Sequence, residues 1–146
     1  MSTTRRGHTW ELHVDGDQST VVTSSEGTPD GEWTVVEESI RFECASGDWI
    51  EGENTGIPVF ELLESAEVAG ETTHVQFISR EGYHACIPLT DLRDALITVG
   101  DRDDVPRFVS PYVVGPRTIK NVAEIRPVAL DAGEERESYE DLPIEE

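Results

Sequence analysis

Alternation of apolar and polar residues with a period of two is the feature of this sequence that most constrains its fold. In the clearest example, Ile40, Phe42 and Cys44 alternate with charged side chains. Such a period is typical of a strand with one buried face, so the pattern places the Cys44 thiol on the apolar face. The stretch ends at Ala45-Ser46-Gly47, a turn signal. We therefore predict that Cys44 is the last inward-pointing residue of a strand that opens into a loop.

Strands dominate the rest of the chain as well. Helical spacing is restricted to two short segments, Val59–Ala66 after Pro58 and Asp91–Leu96 after Thr90, while residues 48–56 indicate an acidic loop. Strands outnumber helices and no repeated βαβ pattern occurs. The predicted fold is α+β, with mixed and mainly antiparallel sheets and two short helices. The further predicted strands cover residues 9–14, 19–23, 33–36, 73–79, 83–88 and 97–99, and the second and third of these are expected to form a hairpin.

Length and local composition predict one domain with two polar ends. A chain of 146 residues can bury a single core. We expect a flexible N-terminus over residues 1–8 and a domain over 9–130. Residues 131–146 contain eight acids and one arginine, which predicts a solvated tail that is disordered or loosely draped.

The overall charge excludes several classes of partner. Acids outnumber bases 31 to 11, giving a net charge of −20, and there is one lysine. Nucleic acid and anionic membrane surfaces would be repelled. Such a composition is typical of a halophilic protein from a salt-loaded cytoplasm, where screening makes the self-repulsion tolerable. Arg5-Arg6 is not followed by the apolar segment of an export signal, so we expect a cytoplasmic protein with reduced thiols.

Residues 105–130 differ in charge from the rest of the chain. Gly115-Pro116 predicts a turn, and Arg117, Thr118 and Lys120 follow it. Backbone N–H groups, a hydroxyl and two cations at one turn are suited to a phosphate. The alternative is that the bases here form salt bridges with acids from elsewhere in the chain. The window has one acid, Glu124, against four bases: Arg107, Arg117, Lys120 and Arg126.

Five sequence pieces, spread over roughly residues 10 to 130, occur in an order that resembles the sulfite-oxidase-type molybdopterin oxidoreductases. The pieces are the Cys44 strand with its Ser-Gly turn and Trp49, Gly56-Ile57-Pro58-Val59 with Leu62-Leu63, Phe77-Ile78-Ser79-Arg80-Glu81-Gly82-Tyr83, Ile87-Pro88-Leu89, and Pro106-Arg107-Phe108-Val109-Ser110-Pro111 followed by Gly115-Pro116-Arg117-Thr118-Ile119-Lys120.

The resemblance implies a function and a set of site residues. Cys44 matches the thiolate ligand of a molybdenum, or tungsten, ion carried by molybdopterin, and a soft thiolate suits such a metal. The implied reaction is two-electron oxygen-atom transfer to or from a small oxyanion or oxo-acceptor substrate, with an electron-transfer partner that the sequence does not identify. The implied cofactor-binding residues are Arg117, Thr118, Lys120, Ser46 and Gly115, and Arg107 is the candidate for substrate contact.

Three alternatives remain open at this stage. Cys44 could be a plain core cysteine, since free cysteines are among the most buried residues. His84 could be a general base or a structural histidine. Only about nine residues precede Trp10, where the family has a segment with further pterin contacts. The second functional hypothesis is therefore a cofactor-free family member that acts as a binding or assembly module.

Overall fold

The computed structural model describes residues 10–25, 28–44, 49–100 and 104–142. Within these residues the chain forms eleven strands, one α-helix and two 3-10 turns. The elements are β1 (Trp10–Val14), β2 (Thr20–Ser25), β3 (Thr28–Pro29), β4 (Val36–Cys44), β5 (Trp49–Pro58), α1 (Val59–Ser65), β6 (His74–Ser79), β7 (His84–Pro88), a 3-10 turn (Leu89–Leu92), β8 (Leu96–Thr98), β9 (Phe108–Val109), β10 (Val114–Gly115), β11 (Val122–Val128) and a second 3-10 turn (Arg136–Tyr139).

The strands are arranged in two sheets. The six-stranded sheet has the order β3-β2-β1-β11-β6-β7, and the five-stranded sheet has the order β10-β4-β5-β8-β9. One pair in each sheet is parallel, β1 with β11 and β10 with β4, and the other pairs are antiparallel. The predicted α+β class with mixed and mainly antiparallel sheets is therefore confirmed. None of the helices in the described part of the chain has the length and apolar character needed to cross a membrane.

One hydrophobic core joins the two sheets and the helix. Trp10, Leu12 and Val14 are buried while the residues between them are exposed, as the alternation in β1 predicts. Phe77 of β6 stacks on Phe108 of β9, with ring centroids 4.0 Å apart and an interplanar angle of 14°. Contact between aromatic rings adds to the free energy gained from burial alone. The buried face of α1 completes this core with Val59, Leu62 and Leu63.

A close backbone approach connects β1 to the end of α1. A Cβ on Gly16 would collide with the carbonyl oxygen of Ala66, so only glycine fits this position. The same carbonyl accepts a hydrogen bond of 2.9 Å from the N–H of Gln18, and the carbonyl of Glu67 accepts one of 3.2 Å from Asp17. The six-stranded sheet and the helix are thereby held in register with each other.

The region around β4 differs from the sequence-based prediction. Residues 33–35 are not a strand; the hairpin partner of β2 is β3, through Ser24–Pro29 and Ser25–Thr28 pairs. Residues 49–58 are not a loop but the strand β5, which pairs with β4 from Val36–Gly56 to Glu43–Trp49. The reason is that hairpin pairing satisfies the backbone of β5 whatever its side chains, so its acidic composition does not prevent strand formation.

The predicted second helix over residues 91–96 is also wrong. The chain makes only the 3-10 turn Leu89–Leu92, and Leu96 already belongs to β8. Asp94 has a left-handed φ of 64°, which cannot continue a right-handed helix. The next carbonyl, that of Ala95, accepts a hydrogen bond of 3.0 Å from the N–H of Val59 at the start of α1. A contact with a distant segment thus replaces the helical hydrogen bond.

Candidate anion and cofactor site

The last residue of β4, Cys44, is paired with the turn that contains most of the predicted phosphate-binding residues. In the parallel β4–β10 pair, Cys44 lies opposite Gly115 and Glu43 lies opposite Val114. Neighbouring strands are about 4.8 Å apart, so the backbones of Cys44 and Gly115 are direct neighbours. The side chain of Cys44, and all of Ser46, lie outside the residues described by the structure. The direction of the thiol and the contribution of Ser46 therefore stay predictions.

The turn after β10 is held by hydrogen bonds within itself. Gly115 has a left-handed φ of +67°, a conformation that favours glycine. Its carbonyl oxygen accepts the N–H of Thr118 at 3.1 Å and the Thr118 hydroxyl at 2.9 Å. The Thr118 side chain is buried, and its oxygen also accepts a hydrogen bond of 3.1 Å from Nη2 of Arg107. The Thr118 hydroxyl, which is predicted to bind phosphate, thus already forms two hydrogen bonds that stabilise the turn.

Arg107, the predicted substrate contact, lies buried beneath this turn. Only 5% of the residue is exposed. Its guanidinium donates to Thr118 and pairs with Asp104, with Nη1 3.3 Å from Oδ2, and its backbone N–H donates to the hydroxyl of Thr98 at 3.1 Å. A buried guanidinium requires this kind of pairing because desolvation of the charge is costly. Arg107 thus stabilises the position of the turn through its contacts with Thr118 and Asp104.

Arg117 binds a carboxylate from the C-terminal segment. Its Nε and Nη2 donate to Oε2 and Oε1 of Glu140 at 2.8 and 2.7 Å, a bidentate pair. The Oε2 atom of Glu140 also accepts the N–H of Cys86 at 2.9 Å. Burial acts to raise the pKa of the Glu140 carboxyl, but the hydrogen bonds from Arg117 and from Cys86 together with the charge of Arg117 outweigh it, so the pKa is lowered. Glu140 is therefore a buried anion held by three N–H donors.

Lys120 is the third predicted phosphate ligand and, unlike Arg117 and Thr118, is exposed to solvent. Its side chain is exposed, and no ion pair or hydrogen bond of its ammonium to another described residue is found. Arg126 pairs with Glu124 at 2.9 Å and with Asp15 at 3.6 Å. Three of the four bases in residues 105–130 thus have a carboxylate partner, as the salt-bridge alternative expects. Lys120 is the one with its charge directed to solvent.

Residues 136–142, part of the segment predicted to be a disordered or loosely draped tail, contact the six-stranded sheet. His84 and Asp141 form an antiparallel bridge with two N–H···O hydrogen bonds of 2.8 Å, which extends the edge of β7. The side-chain amide of Gln76 donates to the carbonyl of Tyr139 at 2.8 Å. The prediction failed because a run of eight acids contains no local signal for which carboxylate has a distant partner. Glu140 was missed for the same reason.

Two side chains of β7, those of His84 and Cys86, carry groups that could take part in acid–base chemistry. Nδ1 of His84 lies 3.0 Å from the carbonyl oxygen of Gly82, which fits a hydrogen bond that the ring donates. The Cys86 thiol is buried, and burial and the nearby Glu140 charge raise its pKa to about 11. The thiol is thus protonated at neutral pH. The structural interpretation of His84 agrees with this contact.

A small cavity lies beside Arg117. It has a volume of about 90 Å³, which accommodates several water molecules. Among the described residues, no group of three or more histidine, cysteine, aspartate or glutamate side chains is arranged to hold a metal ion by itself. The residues around the cavity are Ile87, Asp91, Tyr112, Val113, Arg117 and Arg136.

Comparisons with known proteins connect the fold, but not the sequence as a whole, to a known enzyme. No protein-family model matches the sequence. A comparison with curated proteins finds no match either. Among solved structures, the crystal structure of the sulfane dehydrogenase SoxCD from Paracoccus pantotrophus is similar, with a TM-score of 0.67 and 16% sequence identity over 83% of this chain. The matched region spans 38% of the length of that chain. At this identity the likeness concerns the fold alone.

Proposed function

We propose that this chain is a molybdopterin-dependent oxidoreductase domain of the sulfite-oxidase type, with Cys44 as the protein ligand of the metal. The observation that carries the proposal is the backbone pairing of Cys44 with Gly115. It brings the end of the cysteine strand next to a turn contributed from 71 positions further along the chain. The sequence resemblance assigns these two segments to the metal and to the cofactor phosphate, and a site that uses both needs them to be neighbours.

The fold comparison supports the same class of reaction. The similar structure belongs to an enzyme whose name describes a dehydrogenase acting on sulfane sulfur. A dehydrogenase carries out a redox reaction, as the family implied by the sequence does. The electrons must leave through a partner protein or a soluble carrier, and a small oxyanion or oxo-acceptor is the proposed substrate. Because the chain spans 38% of the similar protein, this assignment of substrate and partner is part of the proposal.

The residues around Arg117 fit the phosphate group of such a cofactor. A carboxylate, that of Glu140, already lies in the guanidinium fork with a backbone N–H as third donor. A carboxylate with three donors is a chemical stand-in for the oxygens of a phosphate, which prefers the same bidentate geometry. The bound cofactor would supply the redox chemistry. The protein's part would be to ligate with Cys44, to bind phosphate with Arg117, and to attract anions with Lys120.

Arg107 has a positioning role in this proposal rather than direct contact with substrate. Its guanidinium joins Asp104 to the hydroxyl of Thr118, so it determines where the turn lies relative to the end of β4. Tungsten in place of molybdenum is compatible with the same thiolate ligand.

A specific observation also favours the second function, a cofactor-free binding or assembly module. Two of the residues that the resemblance assigns to the cofactor, Arg117 and Thr118, are both engaged by other groups of this chain. In a protein that has lost its cofactor, side chains that once bound phosphate can form such contacts within the chain instead. The two functions differ in one measurable property, the presence of metal and pterin in the folded protein.

The test is the cofactor content of protein expressed in a molybdenum- and tungsten-competent host at high salt. The oxidoreductase proposal predicts about one metal and one pterin per chain, measured by elemental analysis and by the fluorescence of acid-released pterin. Cys44→Ser should lose the metal and the activity while keeping the fold. Cys86→Ser is the matched control, because it removes the other thiol and should leave metal content unchanged. Metal-free and pterin-free wild-type protein would support the binding module instead.

A further inference from the structure

A segment close to the C-terminus crosses the edge of the six-stranded sheet and delivers a carboxylate to Arg117. We call residues Arg136–Leu142 the strap. Its backbone is anchored at Asp141, which pairs with His84, and at Tyr139, whose carbonyl accepts the amide of Gln76. Between these anchors, Glu140 points inward, and 4% of its side chain is exposed.

Polar contacts, rather than an extended apolar face, hold the strap against the six-stranded sheet. The 3-10 turn Arg136–Tyr139 contains no buried residue. Leu142, which is partly buried, packs against the core, and Arg136 donates to the carbonyl of Cys86 at 3.4 Å. Elements with few buried apolar contacts open at a lower free energy than the core does. Release of the strap therefore requires the loss of five hydrogen bonds, the bidentate Arg117–Glu140 ion pair and the packing of Leu142, while the sheets remain intact.

The contacts of Glu140 are those that a phosphate-type oxyanion would use. Two come from the guanidinium fork of Arg117 and one from the backbone N–H of Cys86. The Nε–Nη2 edge of Arg117 and the N–H of Cys86 cannot serve Glu140 and a second anion at the same time. Closure of the strap and binding of an external oxyanion at this edge thus exclude each other.

We propose that the strap is a displaceable internal competitor, whose Glu140 carboxylate must leave the Nε–Nη2 edge of Arg117 before a phosphate-type oxyanion binds at that edge. If the proposed function is correct, the displacing ligand is the phosphate of the cofactor, and the strap regulates access to that site. The competition itself depends only on Arg117, Glu140 and an oxyanion. A ligand that binds the open form shifts the population toward it, and the closed fraction lowers the apparent affinity accordingly.

Inorganic phosphate is the probe for the first experiment, at constant ionic strength maintained with potassium chloride. Two readouts report strap opening: hydrogen exchange of the Cys86 and His84 amides, and alkylation of the Cys86 thiol, identified by peptide mapping so that Cys44 does not contribute. Both should increase with phosphate concentration in the wild-type protein. The chloride control matters because exposed ion pairs are screened by any salt.

Variants at Glu140 separate competition from a general charge effect. Glu140→Gln keeps the shape of the side chain and removes its charge, and we expect phosphate to bind at least about tenfold more tightly, the equivalent of losing one hydrogen bond between charged groups. Glu135→Gln is the matched control: it removes the same charge from an exposed position just before the strap, and phosphate affinity should change less than about twofold. Adding Arg117→Gln to Glu140→Gln should abolish the gain.

The outcomes also distinguish the strap from the proposed function. Equal phosphate affinity in Glu140→Gln and wild type, with no change in Cys86 exchange, would overturn the strap proposal. If Glu140→Gln does not fold, the wild-type exchange and alkylation measurements still decide the question. Phosphate-driven opening in a protein that contains no pterin after expression in the molybdenum- and tungsten-competent host would support the strap and refute the cofactor assignment. If pterin-loaded protein keeps its Cys86 amide as protected as the cofactor-free form does, the result would support the cofactor assignment and refute the strap proposal.

Discussion

The buried thiol of Cys86 makes the stability of the protein depend on alkaline pH. Its pKa is raised from 9.0 to about 11, first by burial and then by the negative charge of Glu140. A folded state that holds its proton more tightly than the unfolded state keeps its full stability below pH 9 and loses it as the pH rises toward 11. Two pKa units at about 1.4 kcal/mol each correspond to a loss of up to about 3 kcal/mol.

The perturbation is Cys86→Ala, compared with wild type in urea unfolding at several pH values between about 7 and 11. At neutral pH the variant should be less stable by about 1 kcal/mol, because removal of the sulfur leaves a small void. The difference should shrink above pH 9 and change sign before pH 11. Ionisable groups that do not interact with residue 86 contribute equally to both proteins, so their effects cancel in the difference. A difference that stays constant up to pH 11 would refute the assignment of a buried, charge-facing thiol.

Three further predictions concern the turn and the strap. Arg107→Leu should destabilise the protein by about 3–5 kcal/mol in denaturant unfolding, because it leaves buried polar partners unpaired, whereas Lys120→Gln, an exposed change, should cost less than about 0.5 kcal/mol. Gly115→Ala should lower the free energy of unfolding by about 1–2 kcal/mol, because Gly115 has a left-handed φ. Gly70 has no such φ, so Gly70→Ala should not have this effect. Equal effects at the two positions would contradict the turn geometry. Since the pKa of Glu140 is lowered, its stabilisation of the strap should be present above about pH 4.5 and lost at lower pH. The amide protection factors of the strap, which are corrected for the intrinsic pH dependence of exchange, should fall in wild type and stay constant in Glu140→Gln.

The site was partly predictable because some of its parts depend on local sequence. The strand ending at Cys44 follows from alternation, and the turn at Gly115 follows from its Gly-Pro dipeptide. That these two segments are neighbours came only through the family resemblance, since no local pattern links residues 71 positions apart. The partners of Arg117 and Arg107 could not be inferred in this way. Which acid in a run of acids pairs with which base is decided by the packing of the whole chain.

The sequence alone therefore determined the elements whose signal lies within a few residues. β1, α1, β6 and β7 lie close to where their periodicity predicts them, because burial of one face is itself a periodic requirement. The tertiary structure decided which segments pair even where their composition does not favour a strand. β5 is a strand because β4 lies beside it, and the strap is ordered because β7 has an edge to extend. Backbone hydrogen bonds are the physical reason, since every residue carries them and only the fold determines which ones meet.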